Sequence, residues 1–224
     1  MSAMILTQIY EVSSPEEAAA ISELGVDHIG VLVGDGSFSR ERSIDQAAAI
    51  LSAIESPAKG SVLCLTADLQ LIRRIVLSLR PDILHLGAST EILTPVQVRE
   101  LRNEFPALTM MRSIPVAGPE SPAIARSYEG IVDFLLLDSY SAGDKQIGAL
   151  GTTHDWDLDK AIIQNVSIPV IIAGGLGPEN VADAIRAIRP AGVDSKTKTD
   201  KDDGSHTKDL EKVKQFAAIA KRTT

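Results

Sequence analysis

The sequence predicts an α/β fold, a single (β/α)8 TIM barrel occupying residues 1–224. Three observations lead there. Short apolar runs rich in β-branched residues alternate with helical patterns eight times along the chain. Apolar residues make up 44% and aromatics only 4%, so the core is drawn mainly from Ile, Leu, Val and Ala, which suits buried parallel strands packed on helices. Parallel strands joined by helical crossovers form either an open doubly wound sheet or a closed barrel, and eight units in 224 residues favour closure.

Taken in order, the predicted strands cover residues 4–10, 28–33, 61–65, 82–86, 107–112, 132–138, 169–173 and 192–195. The first helix, 14–24, opens on Ser14, Pro15 and Glu17. These supply a capping hydroxyl, a proline at the first helical position and a carboxylate that can return to the cap amide. Leu69, Ile72, Val76 and Leu79 form one apolar stripe on the third helix, and Val181, Ala184, Ile185 and Ile188 form another on the seventh. The longest irregular stretches, 139–155 and 196–207, both follow strands, which puts them on the face where barrels carry their chemistry. The second is charge-dense and reads equally as a solvated loop or as a binding element.

A formal charge of −8 repels phosphate backbones and leaves no basic footprint, so nucleic acid is not an expected partner. The lone cysteine, Cys64, excludes an internal disulfide and fits a reducing compartment. Apolar runs such as 29–33 and 169–173 fall far short of the roughly 20 residues of a membrane span. With no basic segment at the start of the sequence, the expectation is a cytoplasmic protein without membrane contact. Oligomeric state is left open.

Two features carry chemistry on their own. Ala173-Gly174-Gly175-Leu176-Gly177-Pro178 leaves the seventh strand and opens a helix, so glycine backbone and a helix N-terminus offer an anion a partial positive charge. A tight turn needing small residues is the plainer alternative. Asp138 ends the run Phe134-Leu135-Leu136-Leu137-Asp138 at the C-terminal end of a strand. Partial desolvation there raises a carboxyl pKa and makes a plausible proton donor, although an Asp capping the next loop reads the same way.

Several blocks together resemble the phosphoribosylanthranilate isomerase family. Gln8-Ile9-Tyr10-Glu11-Val12-Ser13 aligns without gaps to that family's Lys-Ile-Cys-Gly-Ile-Thr, and Gly25-Val26-Asp27-His28-Ile29-Gly30 is similar to its second strand. Arg40 falls, after one inserted residue, on the arginine of Ser-Pro-Arg. Leu137-Asp138 and the segment from Gly148 to Trp156 resemble the Leu-Asp and Gly-Gly-Thr-Gly-Lys-Thr-Phe-Asp-Trp blocks. Ala173-Gly174-Gly175-Leu176, Pro178-Glu179-Asn180-Val181 and Gly192-Val193-Asp194 match almost letter for letter.

The resemblance implies an Amadori-type rearrangement of an aminoaldose phosphate to an aminoketose phosphate, a step of tryptophan biosynthesis needing no cofactor or metal. It implies Asp138 as the acid, Arg40 as the carboxylate-binding cation, and Gly174 and Gly175 as phosphate binders. His154 and Asp194 join the substrate-binding positions. The family's proton-abstracting cysteine is Tyr10 here, and a phenol of ordinary pKa near 10 is a poor base at neutral pH. Glu11 is a candidate replacement, although strand alternation turns residues 10 and 11 to opposite sides. His85 is another, with a hydrogen-bonded rim histidine as the alternative. Lys196 and Lys198 stand ready for phosphate. Cys64, inside the third strand, reads as a small buried hydrophobe, and His28 lies on the stability face of the barrel. Three functions stay open: isomerase, a lyase or epimerase on a related sugar phosphate using Lys196 or His85, and a silent phosphosugar-binding protein.

Overall fold

In the computed structural model, which describes residues 4–139 and 155–223, eight parallel strands close in sequence order, β1 to β8, with β8 pairing back on β1. The strands are β1 (Leu6–Tyr10), β2 (His28–Leu32), β3 (Lys59–Cys64), β4 (Ile83–Leu86), β5 (Thr109–Val116), β6 (Phe134–Ser139), β7 (Val170–Ile172) and β8 (Gly192–Ser195). The helices that follow them are α1 (Pro15–Ser22), α2 (Ile44–Ser52), α3 (Leu69–Leu79), α4 (Pro95–Glu104), α5 (Ser121–Arg126), α6 (Trp156–Asn165), α7 (Val181–Ile188) and α8 (Leu210–Arg222). None of the described helices is long and apolar enough to cross a membrane.

Most predicted boundaries lie within two residues of the observed ones. The exception is β5, predicted to end at residue 112, which continues through Val116. Pro115 sits near the C-terminal end, in register with Asp138, where a missing N–H costs the ladder least. The apolar stripes behave as expected on α7, where Val181, Ala184, Ile185 and Ile188 are all buried. On α3 the buried set is Leu71, Ile72, Ile75 and Val76 rather than the stripe through Leu79. Each such side chain contributes about 1.5–3 kcal/mol by leaving water. At α1, Ser14 accepts from the Glu17 amide at 3.2 Å as predicted, while the Glu17 carboxylate reaches one residue further back, to the Ser13 amide at 2.7 Å.

Two apolar layers result. The larger lies between sheet and helices; the smaller fills the barrel itself with Ile83, Met111, Leu136, Ile171 and Ala173. So few apolar residues fill the barrel because polar side chains occupy the rest. His28 Nδ1 lies 3.2 Å from Gln8 Oε1, and Gln8 Nε2 donates to Asp194 Oδ1 at 3.1 Å. Since that oxygen can only accept, His28 carries its proton on Nδ1. Burial pushes its pKa down to about 4. This matches the assignment of His28 to structure rather than chemistry.

The charge-dense stretch after β8 is folded rather than loosely solvated. It makes a 3-10 turn at Thr197–Thr199, and Asp200 pairs with Lys208 in an antiparallel bridge. Lys208 is only 3% exposed; its Nζ donates to the Lys196 carbonyl at 2.9 Å and to Asp200 Oδ1 at 2.5 Å. Lys212 on α8 donates to the Asp200 carbonyl at 3.0 Å and to Asp202 at 2.7 Å. Thus Asp200 and Lys208, which look solvent-directed in sequence, form a buried pair, while 201–206 stay exposed.

Candidate active site

At the C-terminal mouth of the barrel a cavity opens to solvent. Its walls bring together Tyr10 and Glu11 from the end of β1, His85 from β4, Asp138 from β6, Gly174 and Gly175 after β7, and Asp194, Lys196 and Lys198 at and after β8. Of the residues singled out from sequence, His154 lies outside the described residues, and Arg40 borders an adjoining cavity instead.

Tyr10 points into the barrel. Its ring occupies the space beside Gly30, where an added Cβ would come within 2.0 Å of a ring carbon, so glycine at that position makes room for the tyrosine. The phenol oxygen lies 2.6 Å from Ser61 Oγ and 2.8 Å from His85 Nδ1, and His85 Nε2 lies 2.8 Å from Ser113 Oγ. A polar chain therefore crosses the barrel floor through β3, β1, β4 and β5. Burial raises the Tyr10 pKa well above its ordinary 10, so the phenol keeps its proton. Burial and the Arg112 charge push His85 down to about 3, leaving a neutral imidazole. The raised pKa of Tyr10 agrees with the expectation that its phenol is a poor base. One expectation is corrected: His85 is an interior residue, 2% exposed, rather than a rim group with ordinary proton affinity.

Glu11 overturns the alternation argument. It is the first residue beyond β1, where the pleat no longer dictates direction, and both Tyr10 and Glu11 line the cavity. Its carboxylate sits between two cations, with Arg40 Nε at 2.8 Å and Lys196 Nζ at 2.7 Å. That contact also accounts for Arg40. The guanidinium is drawn to Glu11, where the family pattern has glycine, and Arg40 lines a neighbouring space of about 410 Å³ with Arg42, Ser205 and His206.

The glycine turn after β7 is well formed. Gly174 and Gly175 take φ of 81° and 63°, a left-handed conformation open to glycine without strain. The turn is braced by Asn180, which donates to the Gly175 carbonyl at 3.0 Å, and by Ser195 Oγ, which donates to the Leu176 carbonyl at 2.7 Å. Lys198 reaches over it and pairs with Glu179 at 3.3 Å.

Besides Glu11, Asp138 and Asp194 are the carboxyls that line the mouth among the described residues. Asp138 is half-buried, and its Oδ1 accepts from the Ser139 amide at 2.7 Å. Asp194 is 7% exposed. Burial and the Asp138 charge raise its pKa to about 7, against the opposing pull of Gln8, Lys208 and Lys196. The carboxyl held furthest from its ordinary value is thus Asp194, which the sequence marks only as a substrate contact.

Sequence reasoning missed Gln8, Ser61, Ser113 and Arg112. The first three share the inward side of their strands, and a polar residue at every second position of an apolar run was the available signal. Arg112 faces the helices, where it donates to the Leu86 and Leu93 carbonyls at 2.7 and 3.2 Å and lies 5.1 Å from the centre of the Tyr128 ring. Cys64 is buried as expected, and its thiol is pushed up to about 12 by burial.

The profile of the N-(5'-phosphoribosyl)anthranilate (PRA) isomerase family matches residues 8–218, nearly the whole barrel. The chain belongs to this family. An N-(5'-phosphoribosyl)anthranilate isomerase of Methanocella arvoryzae is 34% identical over 218 residues, covering 95% of this chain and 96% of that protein. A second, from Methanosarcina mazei, is 32% identical over 208 residues, covering 92% and 89%. Among solved structures, the isomerase of Pyrococcus furiosus superposes with a TM-score of 0.77 at 21% identity, covering 97% of this chain and 98% of that one. A phosphoribosyl anthranilate isomerase in complex with reduced 1-(o-carboxyphenylamino)-1-deoxyribulose 5-phosphate gives 0.75 at 20% identity, covering 97% and 99%. At such identities the superpositions speak for the fold.

Proposed function

We propose that the chain isomerises N-(5'-phosphoribosyl)anthranilate, an aminoaldose phosphate, to the corresponding aminoketose phosphate in tryptophan biosynthesis. The observation that carries this reading is one cavity holding the carboxyls of Glu11, Asp138 and Asp194 together with a braced glycine turn flanked by Lys196 and Lys198. The turn, the start of α7 and the two lysines bind the phosphate, supplying local positive charge against the net −8. Arg40 serves the anthranilate carboxylate with guanidinium N–H groups that it does not give to Glu11. Asp138 gives its proton to the ribose ring oxygen as the C1–O bond breaks, and the nitrogen lone pair forms the C1=N iminium. Loss of the C2 proton then moves electrons into C1=C2, and the enolamine tautomerises to the ketone. Lys196, the amine of the lyase reading, is engaged by Glu11, and His85, its other residue, is buried and neutral.

One observation favours the binding-only reading: Tyr10 stands where the family has its thiol and is locked into the floor. The two readings separate on turnover. Purified protein mixed with phosphoribosylanthranilate is expected to form the deoxyribulose phosphate product, followed by chromatography. Asp138→Asn is expected to lower kcat by about 10² or more while leaving binding of the reduced product analogue nearly unchanged. Folded protein that binds the analogue and makes no product overturns the isomerase reading in favour of binding alone.

A further inference from the structure

Removal of the C2 proton needs a base, and position 10 no longer provides one. Tyr10 holds its proton, His85 has almost no proton affinity, and Glu11 is clamped between Arg40 and Lys196. Asp138 has the acid role. One more carboxyl lines the cavity among the described residues, and it belongs to the strand that pairs directly with β1.

Building on the isomerase reading, we propose that Asp194 is the catalytic residue that takes the C2 proton in this chain. Geometry carries the assignment. Gln8 and Asp194 are partners in the β1–β8 register, and Tyr10 lies two residues along the same inward face from Gln8, so Asp194 adjoins the place left by the thiol. Gln8 Nε2 holds Asp194 Oδ1 at 3.1 Å, while His28 holds the other end of the Gln8 amide, so the carboxyl is oriented from below. Position 8 is also a departure: the resembling motif has lysine there, and this chain sets a neutral amide beside Asp194. The changes at 8 and 10 act on one event. One removes the thiol, and the other removes the cation that would weaken a neighbouring carboxylate as a base.

The surroundings agree with the task. Asp138 on β6 faces Asp194 as a like charge, Tyr10 and Gln8 face it from β1, and Lys196 and Lys208 approach from the segment after β8. With Asp138 ionised, burial and that like charge outweigh the lysines and bring Asp194 to about 7; once Asp138 carries the proton the like charge is gone, so the pair shares a single proton and Asp194 can be its ionised member. Protons balance across the step. Asp138 begins protonated and loses its proton to the ring oxygen; Asp194 begins ionised and gains the proton from C2. The C2–H electron pair becomes the C1=C2 bond, and the iminium electrons return to nitrogen. The carboxyl pair thus starts and ends with one proton.

Asp194→Asn keeps the shape and can still accept from Gln8. It should lower kcat by about 10² to 10⁴, hold the affinity for reduced 1-(o-carboxyphenylamino)-1-deoxyribulose 5-phosphate within about threefold, and abolish the acidic limb of kcat. With substrate deuterated at C2, the same variant should show a larger primary isotope effect than the native protein, which a merely structural defect would not produce. Native kcat in Asp194→Asn, with or without weaker analogue binding, overturns the base role and returns Asp194 to substrate contact, leaving the isomerase reading intact. A native protein without turnover instead removes both. If Asp194→Asn does not fold, Gln8→Lys decides: a restored cation should move the acidic limb down by at least about one pH unit, and an unmoved limb overturns the proposal.

Discussion

Replacing His85 by glutamine isolates the energetic consequence of burying an imidazole in the barrel floor. Glutamine retains a donor and an acceptor for Tyr10 and Ser113 and does not titrate. In the folded protein burial and Arg112 push His85 from 6.5 to about 3, whereas the unfolded chain takes up the proton near 6.5. The unfolded state therefore binds more protons between those values, and stability rises with pH there. It is full above about 6.5 and is lost as pH falls towards 3. At pH 5, about 1.5 units below the unfolded pKa, each unit is worth about 1.4 kcal/mol, so His85 alone takes away about 2 kcal/mol. His28 acts in the same direction and Asp194 in the opposite one, but both are present in each protein and cancel in the difference. Urea unfolding at pH 8 and pH 5 should show the native protein losing about 2 kcal/mol more than His85→Gln. Parallel losses, equal within about 0.5 kcal/mol, would mean that the imidazole is not held neutral and that the floor is wet enough to charge it.

Cys64, fully buried with its thiol pushed up to about 12, should not react with a disulfide reagent in native buffer and should react at once in denaturant. Lys208→Met leaves the Asp200 carboxylate without its buried partner and the Lys196 carbonyl without a donor; unfolding should become easier by about 3–5 kcal/mol, read from the denaturant midpoint. A crystal soaked in sulfate should show the anion at the Gly174-Gly175 turn, and an anion bound elsewhere with that turn vacant would count against the sugar-phosphate reading.

The barrel was legible because the signals that specify it are local. Alternation, helical stripes and caps report on residues within one or two turns of each other, so eight strands and the burial of Ile185 or Val76 follow from spacing. The glycine turn was legible for the same reason, since Gly174 and Gly175 need only their own backbone to adopt positive φ. Asp138 was legible as a carboxyl at the end of an apolar strand. Where the pattern stops, so does its authority: Glu11 is one residue past β1, and its direction is set by Arg40 and Lys196, far along the chain.

By itself the sequence determined the eight-fold alternation, the closed barrel, the glycine turn after the seventh strand and the absence of a thiol at position 10. The tertiary structure decided how ionisable groups share protons, because a pKa depends on burial and on charges met through space. Asp194 is raised by Asp138 and held by Gln8, 186 residues away in sequence and 3.1 Å away in the fold. Tyr10 and His85 are silenced as bases by the same burial that makes the barrel stable. The run from Lys196 to Lys208 looks like a solvated loop until its partners are seen, for in a linear sequence a buried ion pair and two surface charges are spelled alike.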